Sequence, residues 1–276
     1  MKRNTVIFIG IVLVVALAGI YTAYQYLTPK PAEQLTVFAA ASLTKPFQAL
    51  EAGFEKKYNA NVTFNFAGSS ALSTQINQGS PCNVFASANT KEMTNVKNAN
   101  MLNGTSIVFA HNSLIIIVSK SYTGDITSLL NLTKSGLRIE MADKSVPVGN
   151  YALQTLSKID ATYGNSSSPL YKGAEWVSFS KKVLANVVSY DTDVEQVVTK
   201  VATGTADVGI AYKSDAINRA SEVKFFEIPS EVNQIAVYPI GVINGSDHSK
   251  LAQEFIDYVL SADGQKALTD AGFQGK

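Results

Sequence analysis

Hydrophobic runs alternate with amphipathic stretches along most of the chain. The apolar run at 35–39 predicts a buried strand, and apolar residues at near-helical spacing over 44–58 predict the helix that follows it. Further strands are predicted at 62–66, 83–88, 113–119, 137–141, 187–190, 208–212 and 236–243. Further helices are predicted at 71–77, 151–159, 194–202, 249–260 and 262–271. Strands that alternate with helices in this way indicate an α/β fold, with parallel strands in the front half.

A different pattern occupies the N-terminal end of the chain. Lys2 and Arg3 precede an uninterrupted apolar run over 5–24, and about 20 such residues can cross a bilayer as a helix. The basic pair is then expected in the cytoplasm and the remaining chain outside. A cleaved signal peptide is the alternative, because small residues near the end of the run could form a cleavage site. We expect an anchor or signal segment at 1–27 and a proline-containing linker at 28–34.

Composition narrows the possible functions. The net charge at pH 7 is only +1, and the basic residues are scattered, so we expect no nucleic-acid partner. Cys82 is the only cysteine, which excludes a disulfide framework within the chain. It does not stand directly after the apolar run, so a bacterial lipid anchor is also excluded. No P-loop, G-x-S-x-G or H-E-x-x-H sequence occurs. We therefore expect neither an enzyme nor a cofactor.

Four short segments share one design, in which a strand or loop ends in small or hydroxyl residues and a helix follows at once. They lie at 39–44, 67–72, 146–151 and 190–195, and Asp193 is expected to cap the helix of the fourth. A helix N-terminus offers free N–H groups and a partial positive charge, so an anion can bind there. Serine and threonine before helices are also ordinary caps. Periodicity alone therefore leaves capping and anion binding both open.

The same segments carry a resemblance to a known family. The runs LTVFAAASLT at 35–44 and FAGSSAL at 66–72 resemble those of the periplasmic molybdate-binding proteins of ATP-binding-cassette importers. The runs VPVGNYA at 146–152 and GIAYKSDA at 209–216 match in the same order, and the likeness extends to Phe273. The resemblance thus covers nearly all of the chain that follows the linker.

This resemblance implies a two-lobe α/β fold of the type II periplasmic binding proteins, with a mixed sheet flanked by helices in each lobe and the ligand in the cleft between them. Residues 35–110 and 238–276 would form one lobe, and 111–237 the other. It also implies a monomeric protein outside the cytoplasm, secreted or held to the membrane. This protein would capture molybdate, and also tungstate, for an importer permease. Another tetrahedral oxyanion, such as sulfate or phosphate, is the alternative ligand.

The resemblance also implies a set of uncharged donors to the oxyanion. Hydroxyl groups would come from Ser42, Ser69 and Tyr212, and backbone N–H groups from Val148 and Val194. The same residues would hold molybdate through its oxygens, with no protein ligand on the metal itself. Donors alone suit a fully deprotonated dianion. Hydrogen phosphate would leave its proton without an acceptor, at a cost of about 1–3 kcal/mol.

Overall fold

The computed structural model describes residues 31–276. The expected anchor or signal segment at 1–27 lies outside the described residues. Within 31–276, no helix combines the length and the apolar character that a membrane span requires.

Strands and helices follow one another in the order that the sequence pattern indicates. The strands are β1 (Glu33–Ala40), β2 (Ala60–Ala67), β3 (Val84–Ala86), β4 (Leu102–Ser119), β5 (Ile139–Ala142), β6 (Val187–Asp191), β7 (Val208–Tyr212), β8 (Val223–Glu227), β9 (Ile235–Ile243) and β10 (Gln274–Gly275). The helices are α1 (Thr44–Tyr58), α2 (Ser69–Asn77), α3 (Thr90–Asn98), α4 (Pro147–Tyr163), α5 (Phe179–Leu184), α6 (Val194–Ala202), α7 (Lys213–Asn218), α8 (Ser249–Leu260) and α9 (Ala262–Asp270). Short 3₁₀ turns occupy Ala41–Leu43, Leu129–Thr133 and Ala174–Trp176.

The strands join into one mixed sheet. Their order is β2-β1-β3-β9-β4-β7-β5-β6, and β8 and β10 both pair with β4. β1 runs parallel to β3, and β5 runs parallel to both β6 and β7. β9 runs antiparallel to β3 and β4, and β7 runs antiparallel to β4. The predicted α/β class with a mixed sheet is therefore confirmed.

β4 is the strand that both halves of the sheet share. Over 102–113 it pairs with β9, and over 114–119 it pairs with β7 and β8. One long strand thus connects the elements on either side of it. The assignment of 35–110 with 238–276 to one lobe, and of 111–237 to the other, stays a prediction.

The core around α1 shows how the helical spacing works. Phe47, Leu50 and Phe54 lie three or four residues apart, so they share one face of α1, and all three are buried. The rings of Phe47 and Phe54 meet Phe255 of α8 edge-on, at centroid distances of 5.6 and 5.2 Å. This packing fixes the start of α1 against the sheet, and the loop that precedes α1 belongs to the first of the four segments.

Helix α3 forms where the apolar pattern predicts no helix. Asn89 caps it, because its side chain accepts the backbone N–H of Glu92 at 2.8 Å. Glu92 is buried, and its carboxylate accepts the hydroxyl of Ser73 at 2.6 Å. Only Met93 and Val96 supply buried apolar side chains. With so few apolar positions, the helix is held by its cap and by a buried polar contact that no periodicity reveals.

Candidate functional site

The four strand-to-helix segments converge on one cavity, together with the end of β7. The cavity is lined by Ala40, Ala41, Ser42, Ala67, Gly68, Ser69, Ala88, Val146, Pro147, Val148, Asp193, Val194 and Tyr212. All five residues that the family resemblance implies as donors are among them. None of these lining residues is a lysine, arginine or histidine, so the described part of the chain places no positive side chain in the cavity wall. The cavity is small: its volume of about 10 Å³ is close to what one water molecule needs.

Ser42 comes from the first segment. β1 ends at Ala40, and the 3₁₀ turn Ala41–Leu43 carries Ser42 ahead of α1. Ser42 is buried, and its Oγ lies 3.0 Å from the hydroxyl oxygen of Tyr238 on β9. The turn is closed by the hydroxyl of Thr44, which donates to the carbonyl of Ala41 at 2.7 Å. The Ser42 hydroxyl is thus fixed at the cavity by a partner from a distant part of the chain.

Ser69 is the first residue of α2 in the second segment. Its Oγ accepts the backbone N–H of Ala88 at 3.0 Å, which leaves its own hydrogen available to a further acceptor. Gly68 precedes it, and a Cβ at that position would lie 2.5 Å from the carbonyl oxygen of Thr192. Only glycine therefore allows the second and fourth segments to approach each other this closely.

Val148 lies in the first turn of α4. This helix begins at Pro147, four residues before its predicted start, because proline is well tolerated at the first helical position. The N–H of Val148 consequently has no partner within the helix. A Cβ on Gly149 would come within 2.2 and 2.3 Å of the carbonyl oxygens of Asp143 and Ala142. The glycine lets the loop fold tightly against the helix start and keeps that start at the cavity.

Val194 opens α6, and Asp193 caps this helix as expected. The Asp193 carboxylate accepts the backbone N–H of Gln196 at 3.0 Å and its side-chain amide at 2.5 Å. Both carboxylate oxygens are therefore engaged with the helix start. The N–H of Val194, in the first turn, has no partner within the helix. Val197 and Val201 are buried on the same face of α6 as Val194, and this packing holds the N-terminus of the helix in place.

Tyr212 closes the cavity from the end of β7. Its side chain is buried, and its hydroxyl has no hydrogen-bond partner of acceptable geometry among residues 31–276. The ring of Tyr238 lies beside it, at a centroid distance of 5.9 Å. Burial, with a smaller contribution from the neighbouring phenol of Tyr238, raises the pKa of Tyr212 well above its usual range. The phenol therefore stays protonated and can donate to a bound anion.

Asp215 lies directly behind Tyr212, and its role is not evident from the sequence motifs. Its carboxyl oxygen accepts the backbone N–H of Tyr212 at 3.1 Å. Burial raises the pKa of Asp215 to about 8, so the group is largely uncharged at neutral pH. The acid therefore supports the end of β7 without placing a full negative charge behind the cavity. The available signal was its position, three residues after a strand end, where a side chain can accept from the helix start.

The assembled site offers donors from every side. Residues that carry three hydroxyl groups and two first-turn N–H groups line one small space, and helix starts add partial positive charge. Such an arrangement can replace the water around a small anion whose oxygens only accept hydrogen bonds. Within residues 31–276, no group of three or more His, Cys, Asp or Glu side chains is placed to hold a metal ion.

Comparison with known proteins places the chain in a family. The pattern of the bacterial extracellular solute-binding proteins matches residues 35–274. The chain belongs to this family. Membership in a family of extracellular solute-binding proteins supports a location outside the cytoplasm and a role in binding and transport.

Two relatives of this solute-binding protein are molybdate-binding proteins named ModA. The one from Mycobacterium tuberculosis H37Rv is 34% identical over 243 residues, which is 88% of this chain and 85% of the relative. The one from Escherichia coli K12 is 30% identical over 251 residues, covering 87% of this chain and 88% of the relative. The resemblance predicted from the sequence motifs is thereby confirmed.

Solved structures share the fold. The periplasmic molybdate-binding protein of Azotobacter vinelandii superposes with a TM-score of 0.72 at 20% identity, covering 87% of this chain and 98% of that one. The sulfate-binding protein SubI of Mycobacterium tuberculosis superposes with a TM-score of 0.77 at 15% identity, covering 88% and 87%. The expected periplasmic-binding-protein fold is therefore confirmed.

Proposed function

We propose that this solute-binding protein captures molybdate, and also tungstate, outside the cytoplasm and delivers it to the permease of an ATP-binding-cassette importer. One observation carries the proposal: hydroxyl and N–H donors from separate segments meet at a cavity in whose wall residues 31–276 place no positive side chain. Molybdate is a dianion with four acceptor oxygens, and this donor set matches it. The similarity to molybdate-binding proteins over most of the chain supports the same ligand.

The geometry of each donor supports the proposed ligand roles. Ser69 has a hydrogen to give, because its oxygen already accepts from Ala88. Tyr212 has a buried hydroxyl that a ligand oxygen would satisfy. Ser42 supplies a third hydroxyl, and the first-turn N–H groups of Val148 and Val194 complete the set. No step of binding requires a charged partner, so the dianion is held by hydrogen bonds and helix dipoles that a transporter can outcompete.

Sulfate is the second candidate ligand. A sulfate-binding protein shares the fold, and sulfate presents the same four acceptor oxygens. Sulfate is the smaller ion, so discrimination against it depends on the size of the closed cavity. Hydrogen phosphate is disfavoured for a different reason. Its proton would face hydroxyl and N–H donors, and the carboxylate in the wall, Asp193, already accepts from the start of α6.

We further propose that the protein is a monomer and that segment 1–27 anchors it to the membrane, with cleavage as a signal peptide as the alternative. Residues 35–110 with 238–276, and residues 111–237, would act as two lobes that close on the oxyanion. The close approach of Gly68 to Thr192 fits a closed arrangement, because it brings one predicted lobe against the other. Small-angle scattering that shows no compaction when molybdate is added would contradict this closure.

Calorimetry tests the proposed ligand. The full-length chain, purified in detergent, is titrated with molybdate, tungstate, sulfate and phosphate at one pH and ionic strength. We expect one molybdate or tungstate per chain, with sulfate and phosphate binding more weakly. Tight sulfate binding without a signal from molybdate or tungstate would instead assign the protein to sulfate.

A further inference from the structure

Tyr238 lies directly behind Ser42 but outside the cavity wall. It belongs to β9, is fully buried, and places its hydroxyl oxygen 3.0 Å from the Ser42 Oγ. Its ring meets Phe273 and Phe109 almost at right angles, at centroid distances of 5.2 and 6.3 Å. The surrounding rings leave this phenol little freedom to move, so the position of its hydroxyl is set by the core.

The groups around the Tyr238 oxygen decide which way its hydrogen points. Asn112 is oriented by two bonds: its Oδ1 accepts the N–H of Ser113 at 3.0 Å, and its Nδ2 donates to the Ser214 Oγ at 2.8 Å. Burial raises the pKa of Tyr238, and polar interactions with Ser42, Asn112 and Tyr212 oppose this only in part, so the phenol stays protonated. The phenol therefore carries a hydrogen, and the Ser42 Oγ lies 3.0 Å from its oxygen, close enough to accept it.

A serine hydroxyl has one hydrogen and can both donate and accept. If Ser42 gives its hydrogen to a bound oxyanion, its oxygen can only accept from behind. Tyr238 is the neighbouring hydroxyl at hydrogen-bond distance from that oxygen. A donated bond from Tyr238 therefore keeps the Ser42 oxygen occupied and turns its hydrogen toward the cavity.

We propose that Tyr238 is a positioning residue that donates to the Ser42 Oγ and thereby makes Ser42 a donor only, so that the site rejects oxyanions that carry a proton. This inference rests on the proposed function and deepens it. With Tyr238 in place, a protonated anion such as hydrogen phosphate finds no acceptor at Ser42. Without the Tyr238 hydroxyl, Ser42 can rotate and accept that proton.

The test replaces Tyr238 by phenylalanine, which keeps the ring and removes only the hydroxyl. Calorimetry on the full-length chain in detergent measures the affinities for molybdate and for inorganic phosphate at pH 8, where phosphate is mainly hydrogen phosphate. We expect molybdate affinity to fall about tenfold, while phosphate affinity is unchanged or rises. The ratio of the two affinities is the decisive readout, because a general loosening of the protein would weaken both anions together.

Tyr163→Phe is the matched control. Tyr163 is also a buried tyrosine, and its hydroxyl donates to Glu231 at 2.5 Å, but it does not line the cavity. This variant also loses a phenol hydrogen bond, and we expect it to bind both anions as the native chain does. An equal change of the affinity ratio in Tyr163→Phe would overturn the proposal.

A double-mutant cycle with Ser42→Ala shows whether Tyr238 acts through Ser42. We expect Tyr238→Phe to cause no further loss of molybdate affinity once the Ser42 hydroxyl is gone. A tenfold loss that persists in the Ser42→Ala background, or an unchanged affinity ratio in Tyr238→Phe alone, would overturn the positioning role. A native chain that binds no molybdate overturns the proposed function itself, and this result is seen before any variant is compared.

Discussion

The proposed oxyanion cavity and the ion pairs of Lys200 on α6 differ in their use of charged side chains. The cavity lies at the N-terminus of α6. Its donors are uncharged, and the acid in its wall, Asp193, is bonded to the start of α6. Near the other end of the same helix, Lys200 lies 2.6 Å from Asp191 and 3.1 Å from Glu140, and it donates to Ser189 at 2.7 Å. The ammonium group of Lys200 therefore lies within one helix length of the cavity, but it is paired with two carboxylates.

This difference indicates why the site relies on dipoles. Glu140 and Asp191 are buried, so they need a cation beside them, and burial raises the pKa of Glu140. Lys200 serves that structural need and is not free to pair with a ligand. The cavity instead uses hydroxyl groups and helix starts, which favour a dianion without the strong attraction of a buried salt bridge. Weaker electrostatic attraction to the ligand favours its release, which the proposed transport function requires.

Removing the neutral donors tests the first half of the comparison and has the largest expected effect. Ser42→Ala with Ser69→Ala removes two hydroxyl donors, each of which contributes about tenfold, so molybdate affinity should fall about 100-fold, or about 2.7 kcal/mol. The control is Ser70→Ala, which changes the adjacent serine of α2 but not the cavity wall. A double variant that melts normally and binds as tightly as the native chain would remove the site assignment.

Removing the paired cation tests the second half. Lys200→Met leaves Glu140 and Asp191 without their cation, and we expect the free energy of unfolding to fall by about 2 kcal/mol, because Lys200 is itself partly exposed. Molybdate affinity should stay within about twofold of the native value, since Lys200 does not line the cavity. Urea unfolding and calorimetry on the same samples separate the two quantities. A large loss of affinity at unchanged stability would show that Lys200 attracts the anion.

Tyr212→Phe distinguishes a donor kept for a ligand from one that stabilises the fold. The Tyr212 hydroxyl is buried and has no hydrogen-bond partner of acceptable geometry among residues 31–276, so its removal should raise the stability of the ligand-free protein by about 1 kcal/mol. The same change should lower molybdate affinity about tenfold. Tyr163→Phe should instead lower the stability and leave molybdate affinity unchanged, because its hydroxyl is bonded to Glu231 and lies outside the cavity wall. A Tyr212→Phe variant that is less stable than the native chain would contradict the view that the Tyr212 hydroxyl is kept for a ligand.

The sequence predicts those parts of this comparison that depend on local structure. Helix α6 occupies the predicted range Val194–Ala202, since its valine stripe and its cap are both local signals. The two residues behind the cavity are different. Tyr238 reaches Ser42 across 196 positions of the chain, and Asp215 becomes uncharged only through complete burial. Both depend on how distant parts of the chain pack around the sheet, which no local pattern encodes.

Asp215→Asn extends the comparison to a further buried acid, which lies behind the cavity. Burial raises the pKa of Asp215 from 3.8 to about 8. The folded protein therefore keeps a proton that the unfolded chain releases above about pH 4. The contribution of this group to stability is complete at low pH and declines as the pH rises toward 8, by up to about 1.4 kcal/mol per pH unit.

Asparagine keeps an oxygen that can accept the Tyr212 N–H but cannot ionise, so Asp215→Asn should flatten this decline. Urea unfolding at pH 5 and pH 8 should show the variant gaining stability relative to the native chain at the higher pH. Asp125→Asn, at an exposed position, should leave the difference between the two pH values unchanged. Parallel pH dependence in the native chain and Asp215→Asn would mean that the acid is already ionised in the folded protein. A negative charge would then lie behind Tyr212, and the contrast between a neutral cavity and a charged cluster would fail at that point.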